Sequence, residues 1–111
     1  MNILTEKRND VTILHLEGDL LGGPEAVKLN EEINRLLDAG QTRLVIDLGQ
    51  VERMNSSGLG IMINALSTYR QNGGQLKIAH LRDRVRNLLS TTRLDNIFEI
   101  YDTIDAALAS F

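Results

Sequence analysis

The sequence predicts a single α/β domain, with a mixed central sheet of four to five strands and about four helices. Three observations predict it. Apolar, β-branched stretches of strand length alternate with stretches whose apolar residues recur at helical spacing. The order is ββαβαβα, then an extended segment and a last helix. With 111 residues, 42 % hydrophobic and 24 % charged, the chain suffices for one core of ordinary size. No linker, internal repeat or low-complexity segment interrupts it, so one domain spans residues 1–111. An opening hairpin followed by alternation implies parallel pairs joined by right-handed crossovers.

Residues 2–8 are a strand candidate, and Asn9-Asp10 supplies turn chemistry. Val11 to Leu16 is β-branched and apolar, a central strand that completes the hairpin. Gly18-Asp19 ends it, and Gly22-Gly23-Pro24 is a loop. Pro24 suits the first position of a helix over 24–39, where a missing N–H costs nothing. Glu25 complements the dipole of that helix. Ala26, Leu29, Ile33, Leu36 and Leu37 form its apolar stripe, and Gly40 stops it. Arg43 to Leu48 is the third strand. A second helix covers about 57–72, with Leu59, Ile63 and Leu66 on one face and Met62 beside them. Gly73-Gly74 breaks it before a fourth strand, Gln75 to His80. A shorter helix over about 82–91 buries Val85, Leu88 and Leu89. Residues 96–101 read as extended, and 103–110 as an amphipathic helix with Ile104, Ala107 and Leu108 inward.

Composition excludes several functions. There is no Cys, so disulfides, thiol catalysis and thiolate metal sites are absent. Two Tyr, two Phe, no Trp and a net charge of −3 argue against direct nucleic-acid binding. The N-terminus has no apolar core of a signal peptide, and no run reaches membrane-span length, which implies a cytoplasmic protein with no membrane partner. His15 and His80 fall at strand positions and read as satisfied or half-exposed side chains; no further ligands cluster with them into a metal site. Gly58-x-Gly60 lacks the other glycines of a dinucleotide fingerprint, and neither a P-loop nor Gly-x-Ser-x-Gly occurs. We therefore assign no catalytic residue, metal or cofactor. Arg82, Arg84, Arg86 and Arg93 form a local basic cluster, read as a solvated helix face or a partner-facing patch.

The informative stretch is residues 44–60. A buried-looking strand runs into a short polar loop ending Asn55-Ser56-Ser57-Gly58, and a helix follows at once. A small hydroxyl thus stands at a helix N-terminus, at the carboxyl end of a central strand, where ligands and modifications gather. Asn55 and Ser56 are both good N-caps, which is sufficient reason for their presence. Capping does not explain Gly58 and Gly60, each of which costs a helix about 1 kcal/mol relative to Ala. A bare helix start is a surface for a partner or a phosphate. A phosphoryl group on Ser56 or Ser57 would add about −1.5 to −2 charges, tolerated by the dipole but not by a partner fitted to the uncharged surface.

The stretch Leu44-Val-Ile-Asp-Leu-Gly-Gln-Val-Glu-Arg-Met-Asn-Ser-Ser-Gly-Leu-Gly60 resembles the signature of STAS domains, specifically the bacterial anti-sigma factor antagonists. The likeness continues through Asn72-Gly-Gly-Gln-Leu-Lys-Ile78, Val85-Arg-Asn-Leu-Leu89, Leu94-Asp-Asn-Ile-Phe98 and Tyr101-Asp-Thr-Ile-Asp-Ala-Ala-Leu108, about residues 10–109 in all. The resemblance implies a partner-switching regulator of sigma-factor-dependent transcription, not an enzyme. Unphosphorylated, such a protein binds an anti-sigma factor that is also a serine kinase. The kinase phosphorylates the first serine of the pair, here Ser56, and binding is lost; a PP2C-type phosphatase restores it. By the same resemblance Asp19, Leu21, Asn55, Ser57, Gly58, Leu59 and Gly60 map to the partner-binding surface, on a monomer or weak homodimer.

Three positions depart from the family pattern. Asn55 stands where Asp is usual, Leu21 where many members have Asp, and Arg93 where Gly is usual. The first two bear on which kinase is recognised, and they keep a second reading open, a constitutive STAS scaffold without phosphorylation. The third costs about 1 kcal/mol if its backbone is left-handed.

Overall fold

Five strands lie side by side in chain order, β1 (Asn2–Arg8), β2 (Val11–Glu17), β3 (Arg43–Gln50), β4 (Gln75–Ala79) and β5 (Glu99–Tyr101). The structure is a computed structural model and describes all residues, 1–111. β1 and β2 pair antiparallel, and the other three pairs are parallel. The connections are α1 (Pro24–Asp38), α2 (Ser56–Gln71) and α3 (Asp83–Thr91), with α4 (Ile104–Ala109) closing the chain. The mixed sheet and four helices are those expected from the pattern of apolar residues.

Strand alternation sorts the sheet into two faces. One carries Leu14, Leu16, Leu44, Ile46, Leu48, Leu76 and Ile78, and α1, α2 and α3 cover it with Leu29, Ile33, Leu36, Met62, Leu66, Val85 and Leu89. The other buries Val11, Ile13, Val45 and Ala79 under Ala107 of α4. Lys77 shares this face and is only 4 % exposed. Its Nζ donates to Ser110 O at 3.0 Å and Ser110 Oγ at 2.6 Å, and lies 4.3 Å from the centre of the Phe111 ring. The ammonium so ties down the C-terminal end of α4.

Four local expectations are corrected. The inward stripe of α2 is Leu59, Met62, Ala65, Leu66 and Tyr69, while Ile63 is only partly buried. β3 continues two residues past Leu48, because its pairing with β2 resumes at Glu17 and Gln50 after an irregularity. β4 stops at Ala79, and His80 turns into the left-handed region at φ 61° to aim the chain into α3. The extended segment over 96–101 divides into a 3₁₀ turn (Leu94–Asn96) and the three residues of β5. Arg93 starts that turn in a left-handed conformation, φ 60°, so the strain expected of a non-glycine residue there is present.

Beyond the reach of α4, the second face carries a polar chain across three strands. Asp47 accepts from Gly49 N–H at 2.9 Å, and its two oxygens meet His15 Nδ1 at 2.7 Å and His80 Nδ1 at 3.2 Å. His15 Nε2 lies 2.9 Å from Glu6 Oε1. With a carboxylate at each ring nitrogen, His15 is satisfied as the doubly protonated imidazolium. Burial works against that charge, but the hydrogen bonds to Asp47 and Glu6 outweigh it and raise the His15 pKa above its usual value. Burial likewise works against the Asp47 carboxylate, and the Gly49 N–H and His15 hold its pKa below the usual range. The hydrogen bond from His15, then that from Arg8, lowers Glu6.

The signs set a pH window. The raised His15 contributes stability that is complete below its unfolded pKa and is lost as pH rises through the folded one. The depressed Asp47 and Glu6 contribute stability that is lost as pH falls through their folded values. Stability measured by urea unfolding therefore decreases as pH rises above about 6.5, the ordinary histidine value. The decrease is expected to be absent in His15→Gln, and an unchanged slope in that variant would show that another group is responsible.

Candidate functional site

The carboxyl ends of β2 and β3 run on as two loops that stay in register. Gly18 N–H donates to Gln50 O at 3.1 Å, and Leu20 N–H to Arg53 O at 2.9 Å. Leu20 and Met54 form a parallel bridge. Arg53 donates through Nε and Nη2 to Asp19 Oδ2 at 2.9 and 2.6 Å, and this contact holds the Asp19 carboxyl below its usual pKa. The seam delivers the chain to Asn55, which is extended (φ −115°, ψ −173°) and caps α2. Asn55 Oδ1 accepts from Gly58 N–H at 2.9 Å, and its Nδ2 donates to Leu21 O at 3.2 Å. Aspartate could make the first contact but not the second, having no donor. The departure at Asn55 thus ties α2 to the loop that carries the departure at Leu21.

Gly58 is where the seam closes on the helix. A Cβ there would stand 2.0 Å from Leu20 O and 2.9 Å from Met54 Cγ. Gly22, at φ +105°, lies against Ser57, whose Cβ would be 3.0 Å from one built on Gly22. Two of the residues expected on the partner surface are therefore inside. Gly58 is buried because it passes the Leu20 carbonyl, and Leu59 is 4 % exposed because its side chain joins the core. Both shape the surface from beneath.

The remaining expected residues share one exposed region. Ser56 occupies the first position of α2, and Ser56, Ser57 and Gly60 are exposed. Leu21 is 41 % exposed on the adjoining loop. Nothing lies within 4 Å of a Cβ built on Gly60, so packing does not require glycine there. Asn55 rather than Ser56 caps the helix, which leaves the Ser56 hydroxyl without that structural duty. The first turn of α2 holds no acidic residue, so no carboxylate answers the helix dipole. An anion on the Ser56 oxygen would gain about 0.3–1 kcal/mol from that field. Sequence reasoning had missed the Asp19–Arg53 pair and the burial of Gly58, because both arise from contacts between loops more than thirty residues apart.

No group of three or more His, Cys, Asp or Glu is placed to hold a metal ion, and no helix is long and apolar enough to cross a membrane. His15 and His80 both serve Asp47 on the far side of the sheet.

Comparison with known proteins is consistent with this geometry. The STAS domain profile matches residues 2–107. The anti-sigma-B factor antagonist of Bacillus subtilis is 31 % identical over 104 residues, covering 90 % of this chain and 92 % of that protein. The crystal structure of an anti-sigma factor antagonist from Mycobacterium paratuberculosis superposes with a TM-score of 0.85 at 27 % identity, over 98 % of this chain and 92 % of that one. A candidate anti-sigma factor antagonist of Thermotoga maritima reaches a TM-score of 0.89 at 28 % identity, over 97 % and 92 %.

Two expectations follow for stability, measured by urea unfolding. Asn55→Ala removes a cap and a tether and should cost about 2 kcal/mol, whereas Ser56→Ala should stay within about 0.5 kcal/mol of wild type. Gly58→Ala must push apart the Leu20 carbonyl and should cost about 3 kcal/mol or more, measured in the same way.

Proposed function

The chain belongs to the STAS domain family, whose anti-sigma factor antagonists are regulatory binding proteins and not enzymes, and we propose that it works as a partner switch controlled by phosphorylation of Ser56. Unmodified, it binds an anti-sigma factor with serine kinase activity through Ser56, Ser57, Gly60 and the neighbouring Asp19, Leu21 and Asn55. That binding frees the sigma factor. The kinase then places a phosphoryl group on Ser56 Oγ and the complex separates; a PP2C-type phosphatase resets it.

The observation that carries this reading is the exposed Ser56 hydroxyl on a helix start capped by its neighbour Asn55. A phosphate there breaks no contact that the fold uses. It would sit at the positive end of α2 with no side-chain carboxylate in the first turn. The fold is therefore preserved while the surface acquires about −1.5 to −2 charges. A partner that closes on the neutral hydroxyl must then desolvate a dianion, at a cost of several kcal/mol.

Intact mass after incubation with the cognate kinase and ATP should show one phosphoryl group on wild type and none on Ser56→Ala. Ser56→Asp should weaken binding to that kinase about a hundredfold in calorimetry, with an unchanged circular dichroism spectrum. Unaltered affinity in Ser56→Asp would overturn the switch and leave a constitutive STAS scaffold.

A further inference from the structure

Beside the 51–55 loop lies a cavity of about 380 Å³ lined by Glu52, Arg53, Arg82 and Arg84, with no apolar residue. It opens at the carboxyl ends of the strands, the side on which open α/β sheets receive ligands. Two of its guanidinium groups are held in place. Arg53 is fixed by Asp19, and Arg82 Nε donates to Gly49 O at 2.8 Å. Arg84 takes part in no ion pair and no side-chain hydrogen bond, yet stands close enough to lower the Asp19 carboxyl. Three arginines thus meet around one hollow, where Arg53 is paired with Asp19 and Arg82 faces Glu52, so that Arg84 alone has no acidic partner. That unpaired guanidinium attracts an anion.

Glu52 indicates which anion. Its Oε1 is 3.7 Å from Arg82 Nη1, near enough to attract but too far for a hydrogen bond, and its side chain is 72 % exposed. An exposed carboxylate without a hydrogen bond therefore lines the hollow. No aromatic or apolar side chain lines it, so it has nothing on which to stack a base. Arginine pairs with carboxylates through two parallel N–H donors, and Arg84 has its whole fork to offer.

We propose that this hollow docks an acidic, Asp- or Glu-rich segment of a protein partner, with Arg84 as the principal contact and Glu52 as a resident competitor that the incoming carboxylate displaces. The proposal does not rest on modification of Ser56, although the hollow adjoins the surface assigned to the switch through Asp19, which fixes Arg53.

The test uses a fluorescently labelled decaglutamate peptide as probe, with anisotropy read at low ionic strength on the whole protein. Arg84→Gln should weaken binding about threefold, and Glu52→Gln should tighten it about twofold. Arg43→Gln removes the same formal charge at the start of β3, where Arg43 pairs with Asp10, and should leave binding unchanged. All three positions are exposed, and the circular dichroism spectra should match. Equal weakening by Arg84→Gln and Arg43→Gln would reduce the effect to net charge and overturn the site. No tightening in Glu52→Gln would overturn the competitor role. Displacement of the peptide by inorganic phosphate, where sodium chloride of equal ionic strength does not displace it, would reassign the hollow to phosphate.

Discussion

The approach of the Leu20 carbonyl to Gly58 is the constraint on which this end of the molecule depends. A methyl group at position 58 would lie 2.0 Å from that oxygen. Without the close approach, the β2–α1 and β3–α2 loops could not remain zipped from Gly18 to Asn55. The seam in turn fixes the first turn of α2 relative to the sheet, and so fixes where the exposed serines stand. A glycine that costs an isolated helix about 1 kcal/mol is here the condition for helix and loop to share one surface.

Helical periodicity then divides the Asn55–Gly60 segment between structure and surface. Residues 58 and 59 point to the seam and the core, while 56, 57 and 60 point outward. The inward group explains the stability of the junction, and the outward group is free of that burden. Gly60 is the sharper case, because nothing in the protein requires it. A bare position on an exposed helix turn leaves the backbone there open to close approach.

Much of this was legible in the sequence. The alternation of apolar strands with helical stripes at Leu29–Ile33–Leu36 and at Leu59 and Leu66 reports the core directly, because burial is periodic along each element; Ile63, read as part of the second stripe, is only partly buried, and Met62 takes its place. The strand–loop–helix context of Asn55 to Gly60 likewise shows in the residue pattern. The side from which each residue acts was not legible. Gly58 looks like a surface glycine until the Leu20 carbonyl is seen against it, and Asp19 looks free until Arg53 is folded over it. His80 reads as a strand residue because Gln75 to Ala79 is apolar enough to extend the pattern, but its left-handed backbone is set by the turn into α3. Each of these depends on a partner distant in sequence, and local spacing carries no record of such partners.

The departure at Asn55 acquires an explanation at this level, whereas the contact at position 21 is to the backbone and does not explain the Leu21 side chain. With Asp at position 55 the cap would survive, but a carboxylate would face the Leu21 carbonyl and stand beside the adjacent hydroxyl. With Asn the amide donates to that carbonyl at 3.2 Å, and the helix start stays free of negative charge. The neighbouring acid, Asp19, is already neutralised by Arg53. A negative group arriving on Ser56 would therefore meet a positive dipole end, a neutral cap and a paired carboxylate. Very little in the protein would resist it, so nearly all of its electrostatic cost would fall on whatever was bound. Under the proposed switch, the neutrality of this corner would let one charge alter recognition and leave the fold as it was.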